Sequence, residues 1–150
     1  MKSLFLFLLV SFGVAAQAQQ KPKTTTTAPV KYSVSLGGYS NADVSADVFK
    51  AIADSALTVK DSKGNKYPIV RFRINYTFIA TFTDSETQQR KDFKDFRASD
   101  FYDTNMLSEV WRGSIRDNAK KGDQVLINNI IIRLKDGKKM MVSDFRGTLK

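Results

Sequence analysis

The chain has 150 residues, no cysteine, no histidine and a formal net charge of +9. That composition excludes disulfides, thiol nucleophiles, iron–sulfur and cysteine–zinc sites, and every Ser-His-acid arrangement; it also removes the commonest general base and metal ligand. The basic balance favours an acidic partner without choosing among nucleic acid, lipopolysaccharide phosphate, anionic lipid and an acidic protein.

Residues 1–18 read as an export leader. Lys2 supplies a short positive region, Leu4 to Val14 is apolar, and Ala16-Gln17-Ala18 places small residues where a leader peptidase reads them, so cleavage is expected before Gln19. The apolar run is shorter than the roughly 20 residues a bilayer-spanning helix needs, and the mature chain is expected to lack a transmembrane segment. Removing Lys2 lowers the net charge to +8. Export argues against nucleic acid, and a disulfide-free exported chain points to a bacterial periplasm or to secretion. Residues 19–30, QQKPKTTTTAPV, read as a flexible Thr/Pro-rich lead-in. Residues 31–150 read as one domain.

Within that domain, residues 31–36 alternate Tyr32, Val34 and Leu36 as a first strand, which Gly37-Gly38 ends. Residues 40–59 carry both helical and alternating spacings. A short helix over residues 46–54 followed by a strand over 56–60 is the favoured reading. Asp61 to Asn65 is a turn, joining that strand as a hairpin to the segment that organises the whole sequence, Ile69 to Thr83. There Val70, Phe72, Ile74, Tyr76, Phe78, Ala80 and Phe82 alternate with Arg71, Arg73, Asn75, Thr77, Ile79, Thr81 and Thr83. A period of two over this length predicts a strand of roughly 45–50 Å with one face buried and one wet, relieved by a bulge near Asn75 to Phe78. Asp84 to Gln89 turns the chain.

Arg90 to Arg97, RKDFKDFR, fits one helical turn or an irregular edge. A helix is expected between Asp103 and Asp117, capped by Asp103 or Thr104, with Leu107, Val110, Trp111 and Ile115 as its apolar stripe and Trp111 as an anchor on the sheet. Residues 120–123 form a turn. Gln124 to Leu134, with three consecutive isoleucines, predicts a central strand covered on both faces. Residues 135–138 close a second hairpin, and 139–149 return as the last strand, where Gly147 is compatible with a bulge. The expected fold is mainly β: an antiparallel immunoglobulin-like or related β-sandwich with one or two short helices.

No phosphate-binding glycine loop is present, and Asp61 to Asn65 lacks the carboxylate ladder of a calcium loop. Asp92, Asp95, Asp100, Asp103 and Glu109 are available for two-carboxylate hydrolysis, but all sit among lysines and arginines, as on a solvated face. The expectation is a non-enzyme with no catalytic, metal or cofactor residues. KDFKDFRASDFYD interleaves charge with rings. Phe93, Phe96, Arg97, Phe101 and Tyr102, with Arg71 and Arg73 projecting together from the long strand, are the candidate partner-binding residues. The alternative is that these rings complete the core beneath a charged rim.

Several landmarks resemble the C-terminal β-rich domains of the GldM family, the periplasmic component of the gliding-motility and type IX secretion machinery of Bacteroidota. Gly37-Gly38 followed by Ser45 to Phe49 is similar to the family's Gly-Gly turn and its following Ser- and Phe-containing segment. Residues 122–145, GDQVLINNIIIRLKDGKKMMVSDF, are similar to its Gly-Asp, apolar strand, Asp-Gly turn and final strand. Family members carry a membrane helix, a long helical domain and several β-domains; here a cleavable leader precedes room for one. The resemblance implies a freestanding structural module, without catalytic residues to carry over, that docks an envelope protein or itself as a homodimer. A glycan- or lipopolysaccharide-binding module is the alternative expectation.

Overall fold

The computed structural model describes residues 30–150; the expected export leader and nearly all of the expected lead-in lie outside the described residues. Among the described residues 48% lie in strands and 14% in helices, so the protein is mainly β, with two antiparallel sheets and two helices in a sandwich-like fold. The smaller sheet has the order β1 (Tyr32–Leu36), β2 (Leu57–Asp61), β3 (Lys66–Tyr67). The larger one runs β5 (Arg90–Tyr102), β4 (Ile69–Thr83), β6 (Gln124–Arg133); β7 (Lys139–Met141) and β8 (Phe145–Thr148) both pair with the far edge of β6. Two helices, α1 (Ala46–Ile52) and α2 (Glu109–Asn118), complete the fold.

β4 occupies the residues its alternation predicts. Phe72, Ile74, Tyr76 and Phe78 are buried, each separated by a half-exposed residue on the opposite face. Against them pack Val125, Ile127, Ile130 and Ile132 of β6, Phe145 of β8, Val34, Leu36, Leu57 and Val59 of the small sheet, and Phe49, Ile52 and Ile115 of the helices. The small sheet and helices thus cover one face of the large sheet, and the Phe49 ring stands 6.1 Å from that of Tyr76.

The bulge lies elsewhere than expected. Register shifts fall between Ile69 and Arg73, not near Asn75 to Phe78. Val70 is the extra residue on β4, and β6 carries a compensating one around Asn129, whose φ of 50° an asparagine tolerates. The two insertions cancel, so both strands keep their apolar sets inward: Ile69 and Phe72 on β4, Ile127 and Ile130 on β6. β6 is central, as three consecutive isoleucines suggest, yet Ile131 is only half-buried, so one face is covered and not two.

Other boundaries also move. The hairpin from β2 ends on the two-residue β3, because Pro68 takes the chain across to the other sheet before β4 begins. The final strand is broken at residues 142–144, though β7 and β8 share one register against β6. Gly147 is no bulge; it is a point of close approach by the loop at Ala42-Asp43. The cap of α2 is Ser108, whose hydroxyl accepts from the Trp111 N–H at 3.4 Å, while Asp103 (φ 50°) ends β5 and Thr104 closes the intervening turn on Met106. Val110 faces solvent at 82% exposure, leaving Leu107 and Ile115 buried and Trp111 half-buried. The Trp111 indole donates to Ser99 Oγ at 2.8 Å and so anchors α2 on β5. Trp111→Ala is expected to cost about 2–4 kcal/mol in denaturant unfolding, below the full burial value because the ring keeps an open side.

Candidate functional site

β5 becomes a strand without an alternating pattern because β4 supplies a template. Thirteen residue pairs join the two, from Arg71 opposite Tyr102 to Thr83 opposite Arg90. β6 accompanies β4 only as far as Thr77, so the ribbon beyond it extends past the sheet as a two-stranded arm. Its tip is closed by Asp84, whose carboxylate accepts from the N–H groups of Glu86 and Thr87 at 3.0 and 3.1 Å and pairs with Lys91. Hydrogen bonding to Lys91, and then to those amides, holds the Asp84 carboxyl below its ordinary range.

This pairing separates the candidate residues into two groups. Phe93, Arg97 and Phe101 lie on the inner face with Phe72, Ile74 and Tyr76; Phe96, Tyr102, Arg71 and Arg73 lie on the outer face. Phe101 is a core residue, its ring stacked on Phe72 at 4.7 Å. Phe93 is 47% exposed on the arm and meets Phe82 edge-on at 5.9 Å, so the predicted inward side of β4 stops being buried before Phe82. Arg97 lies 4.9 Å over the Phe78 ring and pairs with Asp95 at 2.9 Å.

On the outer face, Phe96 and Tyr102 are 61% and 62% exposed. Arg71 sits 5.3 Å from the Tyr102 ring centroid, and both Arg71 and Arg73 converge on Asp100, at 3.0 and 2.8 Å. The arginines do project together, onto a shared acid and not into a bare basic strip. Arg71 in particular holds the Asp100 carboxyl below its ordinary value, and Asp100 in turn raises the Arg71 guanidinium. Glu109 is likewise lowered by hydrogen bonding to Arg116 and the charge of Arg112. Both shifts run opposite to what a general acid needs.

Sequence reasoning missed the middle of this face. A shallow groove of about 480 Å³ is lined by Asn75, Thr77 and Phe96 together with Gln124, Leu126 and Arg146 from β6 and β8. The Asn75 amide donates to Asn128 Oδ1 at 3.0 Å, across strands 53 residues apart. Only the pairing β5-β4-β6-β8 assembles these groups, and no local pattern announces them. Sequence reasoning also missed Asp123, wholly buried beneath the base of the arm. Its carboxylate accepts from the Tyr76 hydroxyl at 3.0 Å, the Ile79 N–H at 2.8 Å and the Lys120 N–H at 3.0 Å. The signal was the Gly-Asp ahead of an apolar strand, read as a turn and as a landmark of the resemblance, with no buried role given to its carboxylate.

The Asp61 loop is closed on itself. Its carboxylate accepts from the Asn65 side chain at 2.8 Å, the Lys63 and Asn65 N–H groups at 2.9 Å each and the Tyr67 hydroxyl at 3.0 Å, which bring its pKa down to about 2. Among the described residues, no group of three acidic side chains is placed to hold a metal ion, and no helix is long and apolar enough to cross a membrane. Comparison with family models, curated proteins and solved structures found no match.

Proposed function

We infer that this is an exported, non-enzymatic interaction module of the bacterial envelope that works by contact, through the outer face of the five-stranded sheet. One observation carries the reading. The inner face of that sheet is packed, while none of the described residues covers the outer one, where Phe96 and Tyr102 stand exposed beside Arg71 and Arg73. Aromatic and arginine side chains on a rigid, uncovered sheet are the composition of protein interfaces. The resemblance of the Gly-Gly turn and of residues 122–145 to GldM β-domains supports a structural partner in the gliding or type IX secretion machinery.

A glycan or lipopolysaccharide ligand is the second reading, favoured by the groove in which the Phe96 ring stands beside the Asn75 and Gln124 amides. The two separate by experiment. Affinity capture from envelope extract with the mature chain is expected to return a discrete protein, and the Phe96→Ser/Tyr102→Ser variant to lose it. Saturable, salt-sensitive binding to surface polysaccharide without protein capture would favour the second reading instead.

A further inference from the structure

We propose that β5 pairs with β5 of a second copy of this chain, antiparallel about a two-fold axis at Phe93, extending the five-stranded sheet through both molecules. The proposal rests on reading the protein as an interaction module and specifies one partner and one register for its sheet edge. β5 ends the sheet order, so its second edge has no strand beside it among the described residues. The backbone bond from the Asp84 N–H to Gln89 at 2.9 Å, and that from Asp103 to Val70 at 2.8 Å, mark which positions face β4. They are the odd-numbered positions of β5. Arg90, Asp92, Lys94 and Phe96 therefore turn their N–H and C=O groups outward, away from β4.

The side chains select the register. A two-fold axis that joins antiparallel edges stands normal to the sheet and keeps inner face beside inner face, so only positions of like parity can lie opposite each other. Centring on Asp92, Lys94 or Asp95 would set like charges against each other on the axis. Centring on Phe93 sets Asp92 opposite Lys94 and Lys91 opposite Asp95, each pair twice, with Arg90 opposite Phe96 outside them.

In that register the outward-turned Asp92 and Lys94 exchange the intermolecular backbone hydrogen bonds. Phe93 faces its own copy at a position without backbone bonds, where side chains approach most closely. Phe82, edge-on to Phe93 at 5.9 Å, makes this a cluster of four rings on the inner face. Among the described residues of one molecule Lys94 has no ion pair, and Asp92 accepts only from the Thr81 hydroxyl at 2.7 Å. Charges normally protect an exposed edge from pairing. Here their order, Lys-Asp-Phe-Lys-Asp, is self-complementary when reversed.

Sedimentation equilibrium of residues 19–150 tests this. The wild-type chain is expected to dimerise with rising concentration. Asp92→Lys alone and Lys94→Asp alone each set like charges opposite one another and should raise the dimer dissociation constant at least about tenfold. The double variant restores every pair and should dimerise again, as should an equimolar mixture of the two single variants. Phe93→Cys, the sole cysteine in that chain, should form an interchain disulfide on oxidation, while Thr58→Cys on β2 should not. A wild-type chain that stays monomeric, or a dimer indifferent to both charge reversals, overturns the proposal. A monomer that still captures an envelope protein overturns the pairing alone. A charge-dependent dimer that captures nothing sustains the pairing and removes the heterologous partner.

Discussion

Asp123→Ala is expected to cost about 3–5 kcal/mol, a large share of the roughly 5–15 kcal/mol that stabilises an ordinary domain. The carboxylate is fully buried and meets three donors from two parts of the chain: the Tyr76 hydroxyl and the Ile79 N–H of β4, and the Lys120 N–H after α2. Its own main chain holds the C-terminal segment, since the Leu149 N–H donates to the Asp123 carbonyl at 2.9 Å. Removing the side chain leaves a hydroxyl and two amides without their acceptor, and each such loss costs about 1–3 kcal/mol where water does not enter. Tyr76→Phe removes only one donor and should cost less. Burial chiefly, then the charge of Asp123, raises the Tyr76 pKa from its ordinary 10.0. The unfolded chain therefore gives up this proton first, and the linked stabilisation, complete below pH 10, falls as pH rises beyond it. Urea midpoints measured between pH 8 and 11 should decline on the alkaline side, and Tyr76→Phe should flatten that decline.

Gly147→Ala is the second large effect, expected at about 3 kcal/mol or more. A Cβ built there would stand 2.5 Å from the Ala42 carbonyl carbon and 2.6 Å from the Asp43 nitrogen. Both are backbone atoms, so no rotamer change relieves the contact. The loop is also tied in place: Ala42 N–H donates to Arg146 O at 3.0 Å, Thr148 N–H to Asp43 Oδ1 at 3.0 Å and Lys150 N–H to Val44 O at 2.9 Å. An added methyl must break that seam or push β8 from β6. Gly137→Ala meets no atom within 4 Å and suffers only its φ of 84°, so it should cost less. Thermal unfolding of the two variants side by side checks the order.

The long strand was legible because its alternation is itself the physical cause of burial: Phe72, Ile74, Tyr76 and Phe78 point one way whatever lies beside them. The bulge was misplaced because it belongs to a pair of strands; Val70 and Asn129 compensate each other across a ladder that sequence does not display. β5 was ambiguous for a related reason. Phe93 and Phe96, three apart, suit one turn of helix, and the backbone bonds of β4 decide against it. Of the candidate residues, Arg71, Arg73, Phe96 and Tyr102 reached a common face, while Phe101 went to the core and Phe93 to the arm. Asp100, which organises the two arginines, stood in the sequence as one acid among five.

On the proposed reading two adjoining surfaces have separate tasks, the outer face toward an envelope partner and the β5 edge toward a second copy. A photo-crosslinking residue placed at Phe96, against the same residue at Lys60 on the small sheet, tests the first of these in intact cells. The account predicts a discrete protein adduct from position 96 and none from position 60. No adduct at 96, or the same adducts from both positions, would contradict it.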